Sequence, residues 1–240
     1  MIAATRPTHP SPRFGTSRGV LAAALGALLG TAWLAQAHEF EGLPKEGDPG
    51  PQKHELALLP EWCLYHPSVN RILKRGDRSL PHHPLLDRIV GSGCHAIQHY
   101  CWALVQEVRG NRESEYRARG KQYYYAIGNI DYTLDGSPDS CILMAVMHAK
   151  KGNLYSKLGD HKKAVELYRQ AIARDPKYEL AYSGLCAVYL RQEQYDEALQ
   201  ALRAGLAANP KSLLLKKHLA DLEARRATPQ QNADAPPAGD

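Results

Sequence analysis

The sequence has no Cys-x-x-Cys pair, no Cys-x-x-Cys-His, no glycine-rich phosphate loop and no Gly-x-Ser-x-Gly elbow. Thiol exchange, covalent haem attachment, P-loop nucleotide binding and α/β-hydrolase chemistry are therefore without the motifs that carry them. It also lacks any block of Lys and Arg. The formal net charge of +5 overstates its basicity, because Arg6, Arg13 and Arg18 fall in a leader-like stretch free of Asp and Glu. Without those three arginines the balance is +2, which gives no case for nucleic acid as a partner. Long apolar runs are missing too: Val20–Leu34 is about 15 residues, short of the roughly 20 that span a bilayer.

What is present is a chain of 240 residues, 44% hydrophobic and 23% charged, enough for one ordinary domain with tails or two very small ones. Residues 1–19 are Arg-bearing and rich in Pro, Ser and Thr, the apolar run follows, and Ala35-Gln36-Ala37 offers small residues where a signal peptidase reads. A signal peptide over 1–37, cleaved after Ala37, is expected; an uncleaved anchor is the alternative. No Cys stands directly after the cleavage point, which argues against lipoprotein processing. The expected product is periplasmic or secreted. Its five cysteines would then meet an oxidising compartment, and an odd number leaves at least one unpaired within the chain.

Residues 38–58 are polar and dense in Pro and Gly, and read as a flexible segment. Order begins near Leu59-Pro60-Glu61-Trp62-Cys63, before a turn-rich stretch through Pro81-His82-His83-Pro84. From Gly93 to Val108, Cys94, Ile97, Cys101, Leu104, Val105 and Val108 recur at three- and four-residue steps, predicting one helix with one apolar stripe. A second helix is expected from Glu113 to Leu134, stopped by Asp135-Gly136-Ser137-Pro138. Residues 227–240 offer nothing to bury and read as a disordered tail.

Repeats govern the second half. Residues 145–178 laid over 179–212 show a 34-residue period, with Gly152 over Cys186, Tyr155 over Tyr189, Ala164 over Ala198, Tyr168 over Leu202, Ala171 over Gly205 and Pro176 over Pro210. Small residues suit the close crossing points of two antiparallel helices, and Asp175-Pro176 and Asn209-Pro210 break the second helix of each unit. This pattern resembles the tetratricopeptide-repeat family. The resemblance implies an all-α fold: a short solenoid over 139–226, ending in a closing helix at 213–226 and preceded by a divergent helical region at 59–138. In the 34-residue register Lys121 and Ile130 stand where that family would place Tyr and Ala.

A looser resemblance links the chain to exported repeat proteins of Gram-negative bacteria. It rests on Leu59-Pro60-Glu61-Trp62-Cys63, His99-Tyr100-Cys101 and Tyr132-Thr133-Leu134, with departures at Gln98 and Ala103. It supports export and architecture and carries no settled activity. Cys63 and Cys101 are the preferred disulfide pair, against a free buried thiol at either position. Cys94 and Cys101, two turns apart on one expected helix, are too far apart to bond each other. A Cys94–Cys141 pair stays open, and Cys186 reads as a free structural thiol.

His95 and His99 are four residues apart, so on a helix both rings would project from one face and could share a metal ion. His82-His83 could add nitrogens. A small metal or redox protein with its site at 82–106 is thus the alternative to a binding module. His38, if it became the N-terminus, would set an α-amine beside an imidazole, a copper chelate without a scaffold. No catalytic residue and no cofactor is assigned, and an enzyme is not expected.

The family resemblance implies a groove lined by the first helix of each repeat, where a protein or peptide partner lies. The lining positions are Val146, Ala149, Asn153, Ser156 and Lys157 in one unit. In the next they are Leu180, Ser183, Ala187, Leu190 and Arg191, with Lys217 and Asp221 on the closing helix. Asn153 matches one element of the clamp by which some of these repeats grip a C-terminal carboxylate. Ala149 and Leu214 stand where its basic positions would be, which implies a mixed apolar and basic groove instead.

Overall fold

The computed structural model describes residues 52–67, 69 and 83–233. The expected signal peptide, its cleavage point, His38 and His82 lie outside the described residues. Those described form helices joined by turns, with no strand among them. Two short helices, α1 (Lys53–Leu56) and α2 (Glu61–Tyr65), precede α3 (Pro84–Gly91). Then come α4 (Ile97–Arg112), α5 (Tyr116–Gly136), α6 (Met144–Lys157), α7 (His161–Arg174), α8 (Glu179–Arg191), α9 (Tyr195–Ala208) and α10 (Leu213–Ala233). Consecutive helices pack in pairs, α4 with α5, α6 with α7 and α8 with α9, and α10 packs against α8 and α9.

The boundaries follow from local chemistry. Asp160 caps α7 by accepting the Lys163 N–H at 3.1 Å, just after Gly159 turns the chain at φ 85°. Glu115 accepts the N–H groups of Arg117 and Ala118 at the start of α5. His83 Nδ1 accepts from Leu86 N–H where Pro84 opens α3. Asp175-Pro176 and Asn209-Pro210 end α7 and α9, as their spacing predicts.

The core falls into three clusters along the stack. One cluster joins Leu56, Trp62, Cys63 and Ile89 to Ile97, Ile130, Met147 and Leu154. A second joins Ala149, Ala164, Tyr168 and Ala171 to Ala181 and Val188 on the next pair. The third closes under α10, where Tyr182, Cys186, Ala198 and Leu202 meet Leu215 and Leu222. Ala164, Ala171 and Ala198, small in the repeat pattern, are fully buried. Each repeat thus completes its apolar face on the next, and burying a residue such as Leu202 or Leu215 contributes about 1.5–3 kcal/mol.

The structure departs from the expectations in three places, two of them in the N-terminal part. First, the segment read as flexible up to residue 58 already holds α1, whose Leu56 is buried. Its Glu55 accepts Arg109 Nε at 2.8 Å, so an ion pair ties it to α4. Burial would raise the Glu55 carboxyl, but hydrogen bonds and charge from Arg109 hold it below its ordinary value. Second, α4 begins at Ile97 and not Gly93. Gly93 at φ 89° and Ala96 at φ 50° turn the chain just before it, so Cys94 is not on the helix. Third, α10 runs to Ala233, past Arg226 where the expected closing helix ends.

Two disulfides hold this part. Cys63 on α2 bonds Cys101 on α4, with Cα atoms 5.9 Å apart. Cys94 bonds Cys141 with Cα atoms 4.7 Å apart, joining the turn before α4 to the turn before α6. Serines finish that junction: Ser140 donates to the Ser92 carbonyl at 2.8 Å, and Ser92 Oγ accepts from Ile142 N–H at 3.1 Å. Cys186 is the free thiol, buried under α10, and burial pushes its pKa up.

Candidate functional site

The repeats bring α6 and α8 side by side, and between them lies a hollow of about 290 Å³. Its walls are Val146, Ala149, Lys150 and Asn153 from α6 and Leu180, Ser183, Gly184, Ala187 and Arg191 from α8, with Tyr168 and Tyr178. Seven of the ten positions expected on these two helices are therefore in one place. Leu180 is 51% exposed, unusual for a leucine flanked by buried Ala181 and Tyr182. Tyr168 is buried, and burial pushes its phenol up to about 12, with Arg191 opposing, so the hydroxyl stays protonated. Ser183 Oγ and His218 Nδ1 are 3.1 Å apart, which links α8 to α10 beside the hollow.

The other three positions do different work. Ser156 is buried and accepts a hydrogen bond from Arg191 Nη1. Leu190 is half-buried against the cluster of Tyr182 and Cys186. Lys157 turns away to Asn111 Oδ1 at 2.9 Å and to Glu107 Oε1 at 2.7 Å, and its ammonium lies 5.4 Å from the Tyr123 ring centre. Lys217 and Asp221 are exposed on α10.

Sequence reasoning missed Lys150 and Glu107. Glu107 is a buried acid on α4, and Lys150, Asn153 and Lys157 all donate to it. Burial alone would raise its pKa, but the charges and hydrogen bonds of Lys150 and Lys157 bring it below the ordinary value. The sequence signal was the run 150, 153, 157 on one face of α6, which says that three donors gather but not what they hold.

The histidine pair does not form the expected site. His95 precedes Ala96 and lies off the helix, so the four-residue spacing no longer sets both rings on one helical face. His99 Nδ1 is 3.0 Å from the Oδ1 of buried Asn129, and its ring packs 4.2 Å from that of Tyr132. His83 caps α3, and Cys94 and Cys101 are in disulfides. Among the described residues no three His, Cys, Asp or Glu side chains gather as metal ligands.

With that geometry in place, residues 156–222 match a family model described as tetratricopeptide repeat. The repeats are tetratricopeptide repeats. The chain is similar to the small glutamine-rich tetratricopeptide repeat-containing protein 2 of Mycosarcoma maydis, 31% identical over 100 residues, which is 42% of this chain and 27% of that protein. It is also similar to tetratricopeptide repeat protein 28 of Homo sapiens, 38% identical over 79 residues, 31% of this chain and 3% of that one. The chain thus spans less than a third of the length of these curated relatives. Among solved structures, the Sgt2 tetratricopeptide domain from Aspergillus fumigatus is 27% identical with a TM-score of 0.41, covering 57% of this chain and 87% of that one.

Proposed function

We propose that this tetratricopeptide chain is an exported binding module, not an enzyme, which holds a segment of a partner protein in the hollow between α6 and α8. The observation that carries this reading is the hollow itself. It is built from first helices of consecutive repeats, and its rim exposes Leu180 beside Ala187 and Arg191. Exposed apolar side chains next to a cation are what an extended segment engages, through an apolar anchor and a polar or acidic neighbour.

Export is supported by the leader-like residues 1–37 and by two disulfides, Cys63–Cys101 and Cys94–Cys141, which persist in an oxidising compartment. The periplasm or the cell exterior is the place this reading assigns.

The test is a pair of substitutions at the rim, Leu180→Asp and Arg191→Glu, in the full chain. Each is expected to weaken a purified partner's binding by about tenfold or more, a typical loss for a central contact. Unchanged affinity in both variants, with unchanged melting temperature, would place the partner elsewhere.

A further inference from the structure

Two walls of the hollow, Lys150 and Asn153, are already engaged by a buried acid of the chain's own, Glu107. Lys150 Nζ donates to Glu107 Oε2 at 2.8 Å, while Lys157 Nζ and Asn153 Nδ2 donate to Oε1 at 2.7 and 3.1 Å. Positions 150, 153 and 157 share one face of α6, and Lys150 and Asn153 are also walls of the hollow. Glu107 reaches them from a different element, α4, and is 7% exposed, whereas the side chains of Lys150 and Lys157 keep 28% and 25% of their exposure. Two ammonium groups and an amide that face one carboxylate form a seat for a carboxylate, and it adjoins the proposed docking surface. Arg191, the other cation among the lining residues, bonds the neutral hydroxyl of Ser156.

We infer that Glu107, bonded to the groove walls Lys150 and Asn153, is the resident anion beside this groove and sets its specificity. It denies the α6 seat to a partner's carboxylate and leaves Arg191 to receive the partner's acid, with the partner's aliphatic side chain at Leu180 and Ala187. The fitting partner is an extended protein segment that pairs one acidic residue with a nearby aliphatic one. The inference rests on the groove reading proposed above.

The experiment uses the full chain and a rhodamine-labelled octapeptide of alternating Leu and Glu, followed by fluorescence anisotropy at low salt. Wild-type binding is expected to weaken about fivefold or more in Arg191→Glu, and Glu107→Gln is expected to bind about tenfold tighter than wild type. Adding Lys150→Met and Lys157→Met to Glu107→Gln should abolish that gain. No gain in a folded Glu107→Gln means the ion pairs only brace the fold, and the inference fails. Wild-type binding indifferent to Arg191→Glu sinks the groove reading instead, whatever Glu107→Gln does.

A second readout needs no peptide. Sulfate should raise the melting temperature of Glu107→Gln well beyond its effect on wild type, and the excess should vanish once both lysines are removed. Equal rises in all three proteins overturn the proposal. If Glu107→Gln alone does not fold, Glu107→Gln/Lys157→Gln keeps the seat at Lys150 and Asn153 with one ammonium fewer. It should gain about threefold in peptide affinity, and an absent gain has the same meaning.

Discussion

Gly184 on α8 has no room for a side chain because Tyr168 of the preceding repeat occupies it: a Cβ there would stand 2.2 Å from Tyr168 Cζ. The contact joins one repeat to the next directly beneath the hollow, where both residues are walls. Gly184→Ala must therefore push a buried ring aside, and is expected to cost about 1–3 kcal/mol in urea unfolding. Gly120 on α5 is the control. Its nearest neighbour is Leu158 Cδ2 at 3.8 Å, so Gly120→Ala should stabilise by about 0.4–1 kcal/mol. Equal effects from the two would mean that the Gly184–Tyr168 contact is not tight in solution.

The cysteine pattern predicts a thiol count. Unreduced protein should show one thiol, Cys186, reacting only after denaturation because it is buried and its pKa is raised; reduction should show five. Each disulfide closes a sizeable loop, with separations of 38 and 47 residues. Loss of either is expected to cost about 3–4 kcal/mol on the loop-entropy account, measured as urea unfolding of Cys63→Ser/Cys101→Ser and Cys94→Ser/Cys141→Ser. Three or more thiols in freshly prepared, unreduced protein would contradict the pairing.

Glu107 also predicts a pH dependence. Its folded pKa lies below the ordinary carboxylate value, so the stability it contributes is fully present above that value, about 4.3, and is lost as pH falls through the lowered pKa. Stability of wild type should drop on acidification below about pH 4.3, and Glu107→Gln should have a shallower acid limb. Glu55, lowered through Arg109, contributes in the same direction and leaves a residual slope in the variant. Superimposable acid limbs would show that Lys150 and Lys157 do not stabilise the Glu107 carboxylate.

How much of this was legible beforehand differs along the chain. The repeats were, because Ala164, Ala171, Ala198 and the prolines after Asp175 and Asn209 answer to crossing and breaking geometry that sequence encodes directly. The start of α4 was not. Cys94 fits the apolar stripe of the helix, yet Gly93 and Ala96 adopt positive φ and deliver Cys94 to Cys141 instead. With that turn went the geometry of the His95–His99 pair. Seven positions expected from the repeat register line the hollow, whereas Lys157 lies outside it and bonds Glu107. Hydrophobic spacing does not report which acid a distant helix brings to a lysine.

The export reading makes a prediction of its own. Protein recovered from the envelope or medium should begin at His38, as read by N-terminal sequencing. A product that retains Met1, found with the cytosolic fraction, would remove the compartment from the proposal while leaving the repeats untouched.

The central claim is that the hollow between α6 and α8 is the working surface, and site-specific photo-crosslinking tests it most directly. A benzoyl-phenylalanine placed at Ala187, exposed in the hollow, is compared with one at Gln170, exposed on α7 and outside it. The account predicts one discrete adduct from position 187, absent from 170 and lost when Leu180→Asp is added. An adduct of equal yield from 170, or an adduct at 187 indifferent to Leu180→Asp, would contradict it.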